Sequence, residues 1–324
     1  MAKKKITALI TGYDGFVGPH LAEHLLREGR RVVGTIIAGG RPNPLHKGRL
    51  ARSVELFPLD LKNFESVLEM VKETKPDEVY HLAGISHVPT SWKNPILTYS
   101  TNVMGSVHLL EALRELGRPA RTLVVSSAEV YGSIKSENLP AVETLPLCPE
   151  NPYAASKAAL DLIALQWGHY PGMQIVRARP FSHTGPGQTP NFVCPSFARQ
   201  VAEITLGIAP PVMKVGDLSA RRDFTDVRDV VRAYYLLIQK GKQNEVYNIC
   251  SGKPRSIKAI LQTLKSLSPK KIQVVTDPER LRPSDIPETR GSYARLRRDT
   301  GWTPQIPFSK TLRDLYQHWL AALK

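Results

Sequence analysis

Tyr153 and Lys157 stand four residues apart in PYAASKAAL. On a helix that spacing is about 400°, so the two side chains share one face. A phenol ordinarily titrates near pH ~10, and an ammonium beside it favours the phenolate. The pair is therefore expected to give Tyr153 a pKa low enough to donate or accept a proton near neutrality. Ser127, in SSAEVYG, lies one loop upstream and is a candidate donor to a substrate oxygen beside Tyr153. A serine after a strand equally serves a turn. Glu129 in the same segment carries two readings of equal weight. As a base at a carbon next to a ketone it would permit elimination; otherwise it is a loop carboxylate bonded to backbone. Asn102 in YSTNVMGS either caps a helix or braces the backbone of the site, and the cap is the simpler account.

Moving a proton at one carbon while moving a hydride at the same carbon requires a cofactor, and the start of the chain offers a seat for one. ITALIT (6–11) reads as a buried strand, followed at once by TGYDGFVG and by apolar residues at helical spacing, Val17, Leu21, Leu25 and Leu26. Strand, glycine turn and helix is the context of a phosphate-binding fingerprint. Gly12 permits the tight turn, Gly15 the approach of a pyrophosphate, and Gly18 close helix packing, with Phe16 inside the turn. The helix N-terminus adds free N–H groups for the phosphates. The spacing is GxxGxxG rather than GxGxxG. The second strand, RVVGTII (31–37), ends without the Asp or Glu that would hold a ribose 2′-hydroxyl, and runs on to Arg41. That combination favours NADP(H), with NAD(H) the second choice; Arg41 is otherwise a solvated loop cation. Asp60 follows the third strand as a candidate for the adenine edge or as the cap of a helix near Asn63, with Leu61 beside it. The fourth strand, EVYHLAG, ends in small residues at which Leu82 and Ala83 could lie against the cofactor.

The chain has 324 residues, which predicts two lobes. Its longest apolar runs are too short to span a bilayer, and MAKKKITALI reads as strand one rather than as a signal peptide. A net charge of +15 arises from 44 Lys+Arg against 29 Asp+Glu. Such a balance raises nucleic acid, but the cations are scattered, and a solvated basic surface or a polyanionic small substrate accounts for them. Cys148, Cys194 and Cys250 lack paired or metal-ligand spacing, which predicts a reducing, cytoplasmic setting and no metal.

The ordered segments TGYDGFVG, LDL (59–61), HLAG (81–84), STN (100–102), SSAEVYG (126–132) and YAASK (153–157) resemble the extended short-chain dehydrogenase/reductase family over nearly the whole chain. The resemblance implies that Ser127, Tyr153 and Lys157 are catalytic and that Lys157 also holds the nicotinamide ribose. It implies a Rossmann-type doubly wound parallel sheet with a smaller C-terminal α/β substrate domain. The dinucleotide-binding domain is expected over 1–180, with a returning segment at about 226–250, and the nucleotide-sugar domain over 181–225 and 251–324. RPFSHTGPGQ (179–188), NFVCPSFARQV (191–201), VGDLSARRDFTDVRDVV (215–231) and RLRPSDIP (280–287) are similar to GDP-4-keto-6-deoxy-D-mannose reductases and GDP-mannose 4,6-dehydratases, so a GDP-sugar is the implied substrate. Ser182, His183, Arg222 and Arg282 are the candidate substrate contacts; a guanidinium pairs bidentately with phosphate, unless Asp223 or Asp285 takes it as an ion pair. The subgroup usually has Asn at the positions of Ser182 and Asp217. The dehydratases usually show Gln-Asp-Gly in the turn, Thr in place of Ser127 and an arginine pair after strand two. The chain departs from all three, which favours reduction, while Glu129 matches the dehydratases' base. Apolar residues on two faces of 97–116 and 153–170, among them Leu109, Leu113, Leu160, Ile163 and Trp167, predict a homodimer or homotetramer.

Overall fold

The computed structural model describes residues 5–280 and 286–324; Arg282 and Asp285 lie outside them. Seven parallel strands form the central sheet: β1 (Thr7–Thr11), β2 (Arg31–Ile36), β3 (Val54–Pro58), β4 (Glu78–His81), β5 (Arg121–Val125), β6 (Gln174–Pro180) and β7 (Val246–Ile249). Their order is β7-β6-β5-β4-β1-β2-β3. β1 is buried along its full length, as a strand covered on both faces must be. Its side chains alternate between the two layers: Ala8 and Ile10 enter one core, Leu9 the other.

Helices α1 (Val17–Arg27), α2 (Phe64–Thr74), α3 (Gly105–Glu115), α4 (Pro152–Trp167) and, after α5 (Val193–Leu206), α6 (Val227–Lys240) flank this sheet. α1 and α6 share the core of Ile10, Tyr80 and Ile249, whereas α2, α3 and α4 share that of Leu9, Val79 and Val124. Asn63, not Asp60, caps α2, accepting from Ser66 N at 2.9 Å. Asn151 caps α4 through Ala154 N at 2.8 Å, with Pro152 in the first turn, where its missing N–H costs nothing.

A third core is built from α5, α7 (Ile257–Lys265) and α8 (Phe308–Ala322), with Met213 and Val215 from a strand at Val212–Val215 that pairs in parallel with Gln273–Thr276. The chain leaves the main sheet after β6 and returns as β7, which pairs with β6. Residues further on return as well: Leu296 and Trp302 lie in the core beneath α1 and α6. Among the described residues no helix is long and apolar enough to cross a membrane.

Candidate active site

A cleft of about 1180 Å³ runs along the carboxyl ends of β1, β2, β4, β5 and β6 and on to α5. The strand order reverses between β1 and β4, where a doubly wound sheet opens a crevice. The cleft is lined by Gly12, Gly15, Phe16, Gly18, Asp60, Leu61, Leu82, Ala83, Ser127, Glu129, Tyr153, Lys157, Ser182, His183 and Arg222. Arg41 is exposed and is not among its lining residues.

At the cofactor end the backbone is shaped by what glycine leaves out. Gly12 has φ +70°, and a Cβ there would sit 2.7 Å from Ala83 Cα. The turn and the end of β4 can therefore approach only without that side chain. A Cβ at Gly18 would sit 2.2 Å from Tyr13 O, so this glycine lets α1 close on the turn itself rather than on the strand. The N-terminus of α1 has no side-chain cap and no acidic residue in its first turn. Its free N–H groups and positive dipole end suit a diphosphate. Tyr13 is fully buried, its ring occupying the space that a side chain at Gly34 would fill at 2.7 Å, and its hydroxyl pairs with His46 Nδ1 at 2.7 Å. Asn43 donates to Gly15 O at 3.3 Å, so the loop after β2 folds back over the turn. Asp60 Oδ1 accepts from Lys62 N at 3.0 Å and remains on the cleft wall. These residues fit a dinucleotide.

At the reaction centre Ser127 lies near enough to Tyr153 to act on its pKa, and Ser127 Oγ accepts from Glu129 N at 3.1 Å. The expected fall in the tyrosine pKa is not found. Burial pushes Tyr153 up to about 12, with Ser127 opposing and the Glu129 charge adding to the rise. Lys157 is buried too, which pushes it down to about 8, and its Nζ donates to Val125 O at 2.9 Å. Desolvation outweighs the pairwise attraction that the four-residue spacing suggested.

Asn102 is a brace, not a cap. It sits in a π-helical turn, Ser100–Met104, a distortion common at functional sites. Its Oδ1 accepts from Ile85 N at 2.7 Å, and its Nδ2 donates to Ile85 O at 3.0 Å and Ser156 Oγ at 2.9 Å. Ser156 in turn donates to Tyr153 O at 2.7 Å. Below this brace Ser106 Oγ donates to Asn102 O at 2.6 Å, so His81 Nε2–H is the donor to Ser106 (2.7 Å) and His81 Nδ1 accepts from Thr11 (2.7 Å). Burial, and Lys157 nearby, hold His81 at about 3 and hence neutral. Asp161, one turn after Lys157, is fully buried between Arg177 (2.5 Å) and Arg179 (2.7 Å) of β6. Arg179 continues to the Tyr131 hydroxyl at 3.0 Å. Removing Asp161 would leave two buried guanidinium groups unpaired, a cost of about 3–5 kcal/mol.

At the substrate end His183 Nδ1–H donates to Phe181 O at 3.0 Å, which leaves Nε2 as an acceptor. Burial lowers its pKa, and its ring stacks on Phe16 at 6.1 Å. Ser182 is held by its carbonyl, which accepts from Thr225 N at 2.9 Å. Arg222 donates to Ile286 O at 2.5 Å. Asp223 instead binds Ser251 N (2.8 Å), Ser251 Oγ (2.5 Å) and Gly252 N (2.9 Å), a buried hub that holds the loop after β7. Asp217 lines the cleft with its carboxylate turned on Ser219 N and Oγ at 2.9 and 2.7 Å.

The model of the GDP-mannose 4,6 dehydratase family matches residues 9–315. The chain belongs to that family. Among its relatives, the GDP-6-deoxy-D-mannose reductase of Pseudomonas aeruginosa is 37% identical over 96% of both chains. The human GDP-mannose 4,6 dehydratase is 27% identical over 97% of this chain and 91% of its own. The structure of RMD from Pseudomonas aeruginosa complexed with NADPH superposes with a TM-score of 0.84 at 35% identity, over 98% of this chain and all of that one. The UDP-glucose 4-epimerase of Thermus thermophilus in complex with NAD gives 0.85 at 28% identity, with the same coverage. The two solved structures thus share this chain's overall fold, while the names of the relatives record different chemistry.

The sequence reading missed Asp14, whose Oδ2 accepts from Ile37 N at 3.2 Å on the cleft wall, and underrated Asn102. Neither contact is periodic. Gly34 inside β2 was a usable signal, since glycine in a strand often marks a close approach, here that of Tyr13.

Proposed function

We propose that the protein is an NAD(P)-dependent nucleotide-sugar oxidoreductase that reduces the C4 ketone of GDP-4-keto-6-deoxy-D-mannose, giving GDP-D-rhamnose. The observation that carries the direction is the 37% identity to a GDP-6-deoxy-D-mannose reductase over 96% of both chains, against 27% to a GDP-mannose 4,6 dehydratase. Tyr153, which burial holds as a neutral phenol, is in the form that donates a proton to a ketone oxygen.

NAD(P)H, when bound, supplies the hydride. The glycine turn and the N-terminus of α1 would hold its diphosphate, and Lys157 its nicotinamide ribose. Ser127 holds the ketone oxygen, and Tyr153 passes its hydroxyl proton to that oxygen as negative charge develops there. Asn102 fixes Ile85 against the base of α4, so the two groups arrive preorganised. Arg222 grips the diphosphate of the sugar nucleotide. NADPH is the favoured cofactor, in line with the complex known for the Pseudomonas aeruginosa protein, and NADH the second choice.

Glu129 on the same wall favours a second reading, GDP-mannose 4,6-dehydration, in which its carboxylate takes the C5 proton. Separate incubations decide between them. With NADPH the 4-keto-6-deoxy sugar should be reduced, and Glu129→Gln should keep most of that rate. Conversion of GDP-mannose by the wild type with NADP⁺, abolished in Glu129→Gln, would establish the dehydratase.

The protein acts as a homodimer in this account. Leu109, Leu113 and Leu160 all face the sheet core, so the second apolar face is made by other residues. Leu162 on α4, with Ile96 (81% exposed), Trp92 (62%), Tyr99 and Met104 on the short helices that pack against α4, makes a face suited to a second copy. Three unpaired cysteines accord with the cytoplasm.

A further inference from the structure

We infer that Asp14 sets the balance between NADPH and NADH, supplying from the glycine turn the acidic group that β2 lacks. This rests on the NAD(P) reading above. In a doubly wound sheet the adenosine ribose lies at the carboxyl end of the second strand, where an acid favours a 2′-hydroxyl and opposes a 2′-phosphate. The residues of this chain at that place, Ile36, Ile37, Ala38, Gly39 and Gly40, carry no charge. Yet Asp14 Oδ2 accepts from Ile37 N at 3.2 Å, and Asp14, Ile36 and Ile37 line the same stretch of the cleft. A carboxylate from residue 14 thus stands where a strand-two acid would stand. The neighbouring geometry keeps it there. Gly15 N bonds to Gly12 O at 3.1 Å and Tyr13 N to Thr35 O at 2.8 Å, pinning the residues on both sides of Asp14. Gly40 N closes a turn on Ile37 O at 2.9 Å, fixing the donor side. Arg41, the cation that would offset the carboxylate, is exposed and off the cleft wall. Oδ2 takes the Ile37 N–H, which leaves Oδ1 as the oxygen that would accept from a ribose hydroxyl.

The test is direct binding of NADPH and NADH to the full-length protein by calorimetry, without sugar. Asp14→Asn keeps an oxygen acceptor for Ile37 N–H and removes the charge. It should raise the preference for NADPH, the ratio Kd(NADH)/Kd(NADPH), by about tenfold, the scale of one like-charge contact at a solvated site. Asp14→Glu keeps the charge and should hold the ratio near that of the wild type. In the wild type the ratio should rise with salt, because screening weakens the repulsion, and it should do so less in Asp14→Asn. Equal weakening of both nucleotides in Asp14→Asn would show that the residue merely braces the turn, and would overturn this inference alone. A wild type that binds neither nucleotide would overturn it together with the oxidoreductase reading.

Discussion

Lys157 is held in the fold at a cost, and Lys157→Met measures it. Burial lowers the ammonium from 10.5 to about 8. At ~1.4 kcal/mol per pH unit, that corresponds to roughly 3 kcal/mol of folding free energy lost at pH 7. Methionine has a similar length, carries no charge and keeps the apolar stem. It forfeits the hydrogen bond from Nζ to Val125 O, a loss of about 1 kcal/mol. The net expectation is a gain of roughly 2 kcal/mol, or about 3 °C in melting temperature for a chain of this length. The sign with pH follows from the depressed base. Below pH 8 both folded and unfolded wild type carry the proton and the penalty is complete. Between pH 8 and 10.5 the unfolded state binds more protons, so wild-type stability rises and the advantage of the variant fades. Thermal unfolding of both proteins by circular dichroism at pH 7 and pH 10 reads this directly, and turnover of the variant should be lost. A Lys157→Met protein that melts below the wild type at pH 7, or by a margin independent of pH, would refute the reasoning.

Tyr153→Phe should lower reductase turnover at least ~10²-fold in steady-state assays while cofactor still binds. Gly84→Ala should destabilise the protein by about 1–3 kcal/mol in urea titrations, because its φ is +155° and a Cβ would lie 2.8 Å from Asn102 Oδ1. Arg41→Ala should change the Kd for NADPH less than about threefold, since a solvated cation off the cleft wall contributes little. Ile96→Glu combined with Leu162→Glu should yield monomers in light scattering at micromolar protein, where the wild type is expected to run as a dimer.

The architecture was legible because its signals are local. The buried run of β1, the glycine turn, the apolar spacing of α1 and the Tyr153–Lys157 pair each occupy one short segment. What escaped the sequence depends on contacts across many residues. Asn102 reaches Ile85 and Ser156, and Asp14 reaches Ile37, over intervals with no period to mark them. The sign of the Tyr153 shift escaped for another reason: spacing reports which charges are neighbours, but desolvation depends on how the whole lobe covers them. The second apolar face shows the same limit. Helix α4 is apolar on more than one side, so the sequence alone could not say that Leu160 turns to the sheet and Leu162 away from it.

The central claim, proton delivery by Tyr153 coupled to hydride arrival at C4, is tested most directly by isotope. GDP-4-keto-6-deoxy-D-mannose is incubated with NADPH deuterated on the transferring face, and the product is read by NMR. The account predicts one deuterium at C4 of a GDP-6-deoxy-hexose, formed by the wild type and not by Tyr153→Phe. Deuterium at C6, or a 4-keto sugar left unreduced, would contradict it.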